Sequence, residues 1–295
     1  MHLLIFGHGY SAGFLTPLLV QEGWTVSGTT RGSSDRVRAA GANPLLWPGD
    51  EDGVARAIAQ ADAILASVAP DGDADPVLAA FGPQIAAAKP SWLGYLSTTG
   101  VYGDREGGWV DEDSPLEPAT RRGKARVAAE AEWQALADKA ALPLHIFRLA
   151  GIYGPGRGPF RKLRDGTARR IVKPGQVFSR IHAADIAQAV AASLSGKGGP
   201  GIYNLCDDDP APPQDVIEHA ARLLDMPVPP EIAIDDAEMT PMALSFYAES
   251  KRVRNDRMKD HLGITLIHPD YRSGLSAILR EEEDGAGWTS AAPRA

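Results

Sequence analysis

Apolar positions along this chain alternate between two spacings. Short β-rich runs recur at residues 3–6, 24–28, 43–47, 63–67, 92–97 and 144–148, each separated from the next by a helical or loop segment of crossover length. Helical periodicity covers 53–61, 76–88 and 122–140, where alanine, leucine and long charged side chains favour helix. Strand and helix in alternation predict an α/β fold, a doubly wound parallel sheet with helices on both faces. After Gly151 the regularity falls. Pro155, Gly156, Gly158 and Pro159 mark a loop, and helical segments return at 185–194 and 215–224. The expected organisation is a dinucleotide-binding sheet domain over 1–150, to which strands and helices from 171–205 return, and a smaller C-terminal substrate lobe over 151–284. The last helix is expected at 271–283, and the Gly, Ala, Ser and Pro tail at 285–295 is expected to be disordered.

The first strand runs directly into Gly7, Gly9 and a third small position at Ala12, the pattern of a Rossmann-type dinucleotide fingerprint. Gly7 permits a tight turn, Gly9 lets backbone approach a pyrophosphate, and Ala12 lets the following helix pack close to its strand. That helix starts near Tyr10, so the free N–H groups around Tyr10, Ser11 and Ala12 and the positive dipole end would face phosphates. An ordinary glycine turn uses the same letters. The N-terminal position and a second strand at βαβ spacing favour the dinucleotide.

The end of the second strand bears on the cofactor. NAD-preferring sites place a carboxylate there, whereas this chain reads Gly28-Thr29-Thr30-Arg31-Gly32-Ser33-Ser34. Arg31 offers a fork of donors to a 2′-phosphate, with Thr30 and Ser33 as hydroxyl partners, which favours NADP over NAD. A solvated loop arginine is the competing reading. Asp50, after the third strand, either lies near the adenine or caps the helix that follows. Ser67, Val68 and Ala69 end the fourth strand and are small enough to line the pyrophosphate and nicotinamide-ribose side.

Composition narrows the class. The 295 residues are 44% hydrophobic, enough for a sizeable core, and the net charge of −8 argues against a general nucleic-acid surface. The single cysteine, Cys206, excludes an intrachain disulfide framework and thiolate zinc clusters. Its neighbours Tyr203 and Leu205 suggest a buried strand cysteine. No cationic region precedes a long apolar run, so no membrane span and a cytoplasmic location are expected. No metal site is expected either.

The run Ser97-Thr98-Thr99-Gly100-Val101-Tyr102-Gly103 resembles the S-[ST]-x-x-V-Y-G segment of extended short-chain dehydrogenase/reductases, the NAD(P)-dependent sugar epimerase/dehydratase group. Arg148-Leu149-Ala150-Gly151-Ile152-Tyr153-Gly154-Pro155-Gly156 resembles their R-x-x-x-x-Y-G-P-G run. The stretch from Phe178 through His182 to Asp185 and Ala187 resembles their f-x-x-v-H-x-x-D-x-A. With the glycine motif and Gly201-Ile202-Tyr203-Asn204, the resemblance spans nearly the whole chain. It implies a Ser or Thr hydroxyl that binds the reacting oxygen, a tyrosine that exchanges its proton, and a lysine four residues later that holds the nicotinamide ribose. Thr98 matches the hydroxyl.

The chain departs from that pattern at the other two positions. The register set by Ala128-Ala129-Glu130 places Arg122 and Arg126 where tyrosine and lysine belong, and a two-residue shift substitutes Thr120 and Lys124. Neither register contains a phenol. Arginine stays protonated and cannot shuttle a proton. Arg122 can stabilise an oxyanion or bind an anionic substrate group, and Arg126 can hold ribose or phosphates. The competing reading is a solvated face with Arg126 paired to Glu130 at i, i+4. Tyr102, Tyr153 and His182 are candidate substitute proton donors, each with a structural explanation as well. Dehydratases of the resembled group carry Asp and Glu after the Ser/Thr; Thr99 and Gly100 stand here, which argues against that chemistry.

Basic residues Arg157, Arg161, Lys162, Arg164, Arg169, Arg170 and Lys173 either receive an anionic or nucleotide-linked small-molecule substrate or form a solvated lobe surface. The resemblance also implies a homodimer formed through the 76–88 and 122–140 helices, although burial on the sheet explains their apolar stripes equally. Two functions compete: an NADP-dependent oxidoreductase or epimerase, and a non-catalytic NADP(H)-binding sensor or regulator. A scaffold without cofactor is disfavoured by Gly7, Gly9 and Arg31.

Overall fold

The computed structural model describes residues 1–70, 72 and 74–284. The expected tail at 285–295 lies outside the described residues. Strands β1 (His2–Phe6), β2 (Thr25–Thr30), β3 (Asn43–Leu46), β4 (Ala63–Ala66), β5 (Trp92–Thr98), β6 (Leu144–Leu149) and β7 (Gly201–Leu205) form one parallel sheet in the order β7-β6-β5-β4-β1-β2-β3. From β1 the chain winds outward first through β2 and β3, then returns to β4 and winds the other way. The crevice beyond the C-terminal ends of β1 and β4 is therefore the topological switch point, where α/β sheets of this kind bind ligands.

Strands β1 and β4 are continuously apolar because both faces of the sheet are covered. Leu3, Leu4, Ile5 and Phe6 are all fully buried. Helix α1 (Tyr10–Gln21) covers one face through Ala12, Leu15 and Leu19, beside Ile186, Ala189 and Val190 of the helix Ala183–Leu194. A short helix α2 (Asp35–Ala39) follows β2. Helices α3 (Glu51–Gln60), α4 (Pro76–Ala88) and α5 (Arg121–Ala140) cover the other face with Val54, Ile58, Phe81, Ile85, Ala129 and Trp133.

Local chemistry starts these helices. The Asp50 side chain caps α3 by accepting from Gly53 N, Asp75 caps α4 at Val77 and Leu78, and Thr120 caps α5 at Gly123. Asp75 also accepts from Trp133 Nε1 at 3.0 Å, which ties α4 to α5. The single cysteine is buried just past β7, its Sγ donating to the Val253 carbonyl at 3.1 Å.

Beyond the central sheet, three two-stranded parallel ribbons pair Gly151–Tyr153 with Arg180–His182, Arg170–Val172 with Glu231–Ala233, and Trp109–Val110 with Arg252–Val253. A separate small core of Tyr153, Phe160, Leu163, Tyr271, Leu275 and Ile278 packs the helix Tyr271–Glu283 against the first ribbon. Among the described residues no helix is long and apolar enough to cross a membrane, and no group of His, Cys, Asp or Glu is placed to hold a metal ion.

Candidate functional site

The loop between β1 and α1 closes on itself. Gly7 has φ +78°, which glycine adopts without steric cost, and a Cβ there would lie 2.9 Å from Val68 Cγ2. Its N–H donates to Thr29 Oγ1 at 2.8 Å, while His8 N–H donates to the Thr29 carbonyl at 2.8 Å. His8 fills the space between β2 and α1: its Nε2 meets Thr16 Oγ1 at 2.8 Å, and a Cβ on Gly28 would be 2.6 Å from its ring. Burial pushes the His8 imidazole down to about 4, so it is neutral at physiological pH. Its buried Nδ1 has no partner.

Among the described residues no side chain caps the N-terminus of α1. Gly9 is the N-cap, and the first turn holds no acidic residue. Among the described residues a Cβ on Gly9 would meet only the Gly7 carbonyl, at 3.7 Å, which leaves room for a ligand to approach the backbone. Uncapped N–H groups, a glycine cradle and the adjacent ends of β1 and β4 fit a dinucleotide pyrophosphate. Ser67, Val68 and Ala69 border this cradle, with Ser67 N–H donating to the Phe6 carbonyl at 2.8 Å.

At the end of β2, Arg31 is exposed and makes no ion pair among the described residues. Thr30 Oγ1 accepts from Gly32 N–H at 3.3 Å, and Ser33 hydrogen-bonds Asp35 at the start of α2. Arg36, which sequence reasoning passed over, lies close enough for its charge to act on His8. Asp50 serves as the α3 cap.

Thr98 ends β5, opposite Leu149 of β6. Its Oγ1 accepts from Gly100 N–H at 3.2 Å, which leaves the hydroxyl proton free to be donated. Arg126 reaches the same strand: its Nη1 donates to the Leu96 carbonyl at 2.8 Å and to the Tyr95 hydroxyl at 2.9 Å. Arg122 is exposed one turn earlier. In the shifted register Thr120 is the α5 cap and Lys124 is exposed, so of the two cations it is Arg126 that touches the sheet.

The Arg126–Glu130 pair of the competing reading does not form. Glu130 is only 5% exposed and turns inward, because Arg148 on β6 presents a guanidinium there with no water to satisfy it. Arg148 Nη2 donates to Glu130 Oε2 at 2.8 Å and its Nε to both carboxylate oxygens, while Ser97 Oγ donates to Glu130 Oε1 at 2.5 Å. Arg148 Nη1 donates to the Tyr102 hydroxyl, which donates to Asn204 Oδ1 at 2.6 Å. Ser97, Tyr102, Arg148 and Asn204 are therefore one buried scaffold behind Thr98. Sequence reasoning found these letters as motif positions without finding that they touch.

The substitute proton donors are spoken for. Burial pushes the Tyr102 phenol up to about 12, inside that network. Tyr153 donates to the Asp270 carbonyl at 3.2 Å, and burial raises its pKa further still. His182 accepts from Ala184 N–H at 3.2 Å as a helix cap, and its ring lies tilted against that of His268 with centroids 4.0 Å apart; burial, and then the His268 charge, push it down to about 3.

Asp207 is a buried acid that the motifs did not single out. It is 1% exposed, neither carboxylate oxygen has a well-formed hydrogen bond among the described residues, and burial pushes its pKa up to about 8 against the pull of Arg180 and of nearby backbone donors. The folded protein thus holds a proton that the unfolded chain, with a carboxylate near 3.8, releases. Stability should fall as pH rises from about 4 through 8. Asp207→Asn stays neutral throughout and should gain about 4 kcal/mol on the parent between pH 5 and 8 in urea unfolding. Parallel curves for the two proteins would refute this.

Residues 84–206 match the NAD dependent epimerase/dehydratase family. A 3-diazoavenalumate denitrifying reductase from a Streptomyces species is 30% identical over 181 residues, which is 56% of this chain and 58% of that protein. The match thus spans little more than half the length of that relative. A functionally unknown conserved protein from Silicibacter pomeroyi is 55% identical, with a TM-score of 0.87 over 96% of this chain and 99% of the other. UDP-glucuronic acid 4-epimerase from Bacillus cereus, solved in complex with NAD, shares the fold at 15% identity, with a TM-score of 0.75 over 96% of this chain and 99% of that one.

Proposed function

We propose that this protein is a member of the epimerase/dehydratase family, binds NADP(H) at the β1–α1 loop and works as an oxidoreductase on a small carbonyl-type substrate, by a variant of the family chemistry without a tyrosine acid. The observation that carries it is the uncapped start of α1 at the switch point, with Thr98 ending a strand of the same sheet edge. A nicotinamide bound there supplies or accepts a hydride. Thr98 Oγ donates a hydrogen bond to the reacting oxygen, and Arg122 stabilises negative charge that develops on it. Arg126, held by Leu96 and Tyr95, presents its remaining donors to the ribose. With the three candidate phenol and imidazole groups engaged elsewhere, water delivers the proton.

This reading favours hydride transfer over epimerisation, since an epimerase must take a hydroxyl proton and return it through a titrating group. The reductase named among the relatives is consistent with that direction. A cytoplasmic location and a homodimer remain part of the proposal.

Arg31 would select NADP. Arg31→Ala should weaken NADPH by about 10–100-fold and leave NADH within about twofold, as loss of a charge-assisted bidentate contact requires. Titration by quenching of tryptophan fluorescence measures both. Equal affinity of the parent protein for the two cofactors would sink this assignment. The second reading, a non-catalytic NADP(H)-binding regulator, draws on the capture of Arg126 by Tyr95. NADPH binding without turnover across a panel of carbonyl substrates, nucleotide sugars included, would favour it.

A further inference from the structure

Of the seven basic residues between 157 and 173, three are ion-paired and two more are held by backbone carbonyls. Arg161 pairs with Asp165 at 3.5 Å, Arg164 with Glu282 at 2.7 Å, and Arg170 with Glu218 and Glu231. Arg169 and Lys173 donate to the carbonyls of Glu238 and Tyr247. This leaves little of the run as a receiver for an anionic substrate. Arg157 and Lys162 are both exposed and make no ion pair among the described residues, and of the two it is Arg157 that reaches α1, over the Tyr10 ring.

Its position is set by a closed turn. Gly154 N–H donates to the Arg157 carbonyl at 3.2 Å and Arg157 N–H to the Gly154 carbonyl at 2.9 Å. The turn seats on the first residue of α1: Tyr10 Oη donates to the Pro155 carbonyl at 3.0 Å, and a Cβ on Gly154 would come within 2.5 Å of that hydroxyl. The Arg157 guanidinium lies over the Tyr10 ring, 5.5 Å from its centroid. A free cation from a distant part of the chain is thus held beside the uncapped start of α1. Glu281, whose charge also reaches Tyr10, forms no ion pair with Arg157 among the described residues.

We infer that Arg157 is a phosphate clamp, which swings from the Tyr10 ring to the diphosphate of the dinucleotide and so fastens the 154–157 turn over the cofactor. This rests on the reading that a dinucleotide binds at the β1–α1 loop. The diphosphate is common to NADPH and NADH, so the clamp has a signature distinct from that of Arg31. Stacking on Tyr10 keeps the guanidinium near its target in the free protein, which lowers the ordering cost on binding.

The test is cofactor affinity of Arg157→Ala, Arg157→Lys and the parent, by titration with NADPH and with NADH at two salt concentrations, together with thermal melting of each cofactor-free protein. Arg157→Ala should weaken both cofactors about tenfold and to the same extent, with a shallower salt dependence, while Arg157→Lys recovers part of the loss. The melting temperature of the cofactor-free protein should not change. A parent that binds both cofactors and a variant that binds them equally well would overturn the clamp and leave the dinucleotide reading standing. A loss confined to NADPH would also overturn it, by assigning Arg157 to the 2′-phosphate. So would a loss matched by a fall in the cofactor-free melting temperature, which is the mark of a packing role on Tyr10. A parent that binds neither cofactor would overturn the dinucleotide reading and the clamp together.

Discussion

Glu130→Ala is expected to destabilise the protein by about 3–5 kcal/mol, because it strands the Arg148 guanidinium inside the fold with no counter-charge. Arg148 is 2% exposed, and its remaining partners are the Tyr102 hydroxyl and the Glu112 carbonyl, which are neutral. The cost is that of an unpaired buried charge rather than the net worth of the ion pair. Replacing both residues by apolar side chains of similar volume should therefore recover much of the loss. Urea unfolding followed by circular dichroism measures all three proteins. A loss below about 1 kcal/mol in the single variant would mean that water reaches Arg148 and that the network is not closed.

Thr98→Val is the larger test of function. It removes the one hydroxyl at the end of β5 that the proposal places on the reacting oxygen. Turnover should fall by about 10²–10³-fold, the range measured for loss of one preorganised donor, with NADPH affinity unchanged. The same hydroxyl caps the 3₁₀ turn Thr99–Tyr102 through Gly100, so Thr98→Ser, which keeps the oxygen, should restore most of the activity. Single-turnover hydride transfer separates the chemical step from binding. Activity that survived Thr98→Val unchanged would remove Thr98 from the mechanism.

How much of this was legible beforehand differs between fold and site. The six strands of the first half come within two residues of their observed limits at each end, and helix Pro76–Ala88 matches at both. Those signals are local: a fully buried parallel strand needs a continuous apolar run, and Asp75 and Thr120 mark helix starts by chemistry within three residues. The ribbons were not legible. Two- and three-residue strands such as Trp109–Val110 and Arg252–Val253 have no period of their own and exist because distant backbone meets them.

The site divides in the same way. Gly7 and Gly9 carry their meaning alone, since a positive φ and an approachable backbone are properties of the residue. Arg126 and Glu130 do not. Their spacing on a helix predicts a surface pair, yet helix α5 lies on the sheet with Glu130 inward, where Arg148 from β6 outcompetes Arg126 by geometry and by lack of solvent. Arg157 and Tyr10 are nearly 150 residues apart, and nothing in either segment announces the other.

By itself, then, the amino-acid sequence determined the alternation of strand and helix, the glycine turn at 7–9, the absence of a carboxylate after β2 and the missing tyrosine and lysine, because each depends on residues within one turn or strand of one another. Tertiary structure alone decided which charges are spent inside the fold and which remain for a ligand. Glu130, Arg148 and Tyr102 are consumed by one another, and among the described residues Asp207 is buried without a close hydrogen-bond partner while Arg31 and Arg157 make no ion pair. Burial and long-range pairing set the energy of a charge, and both exist only once the chain has closed.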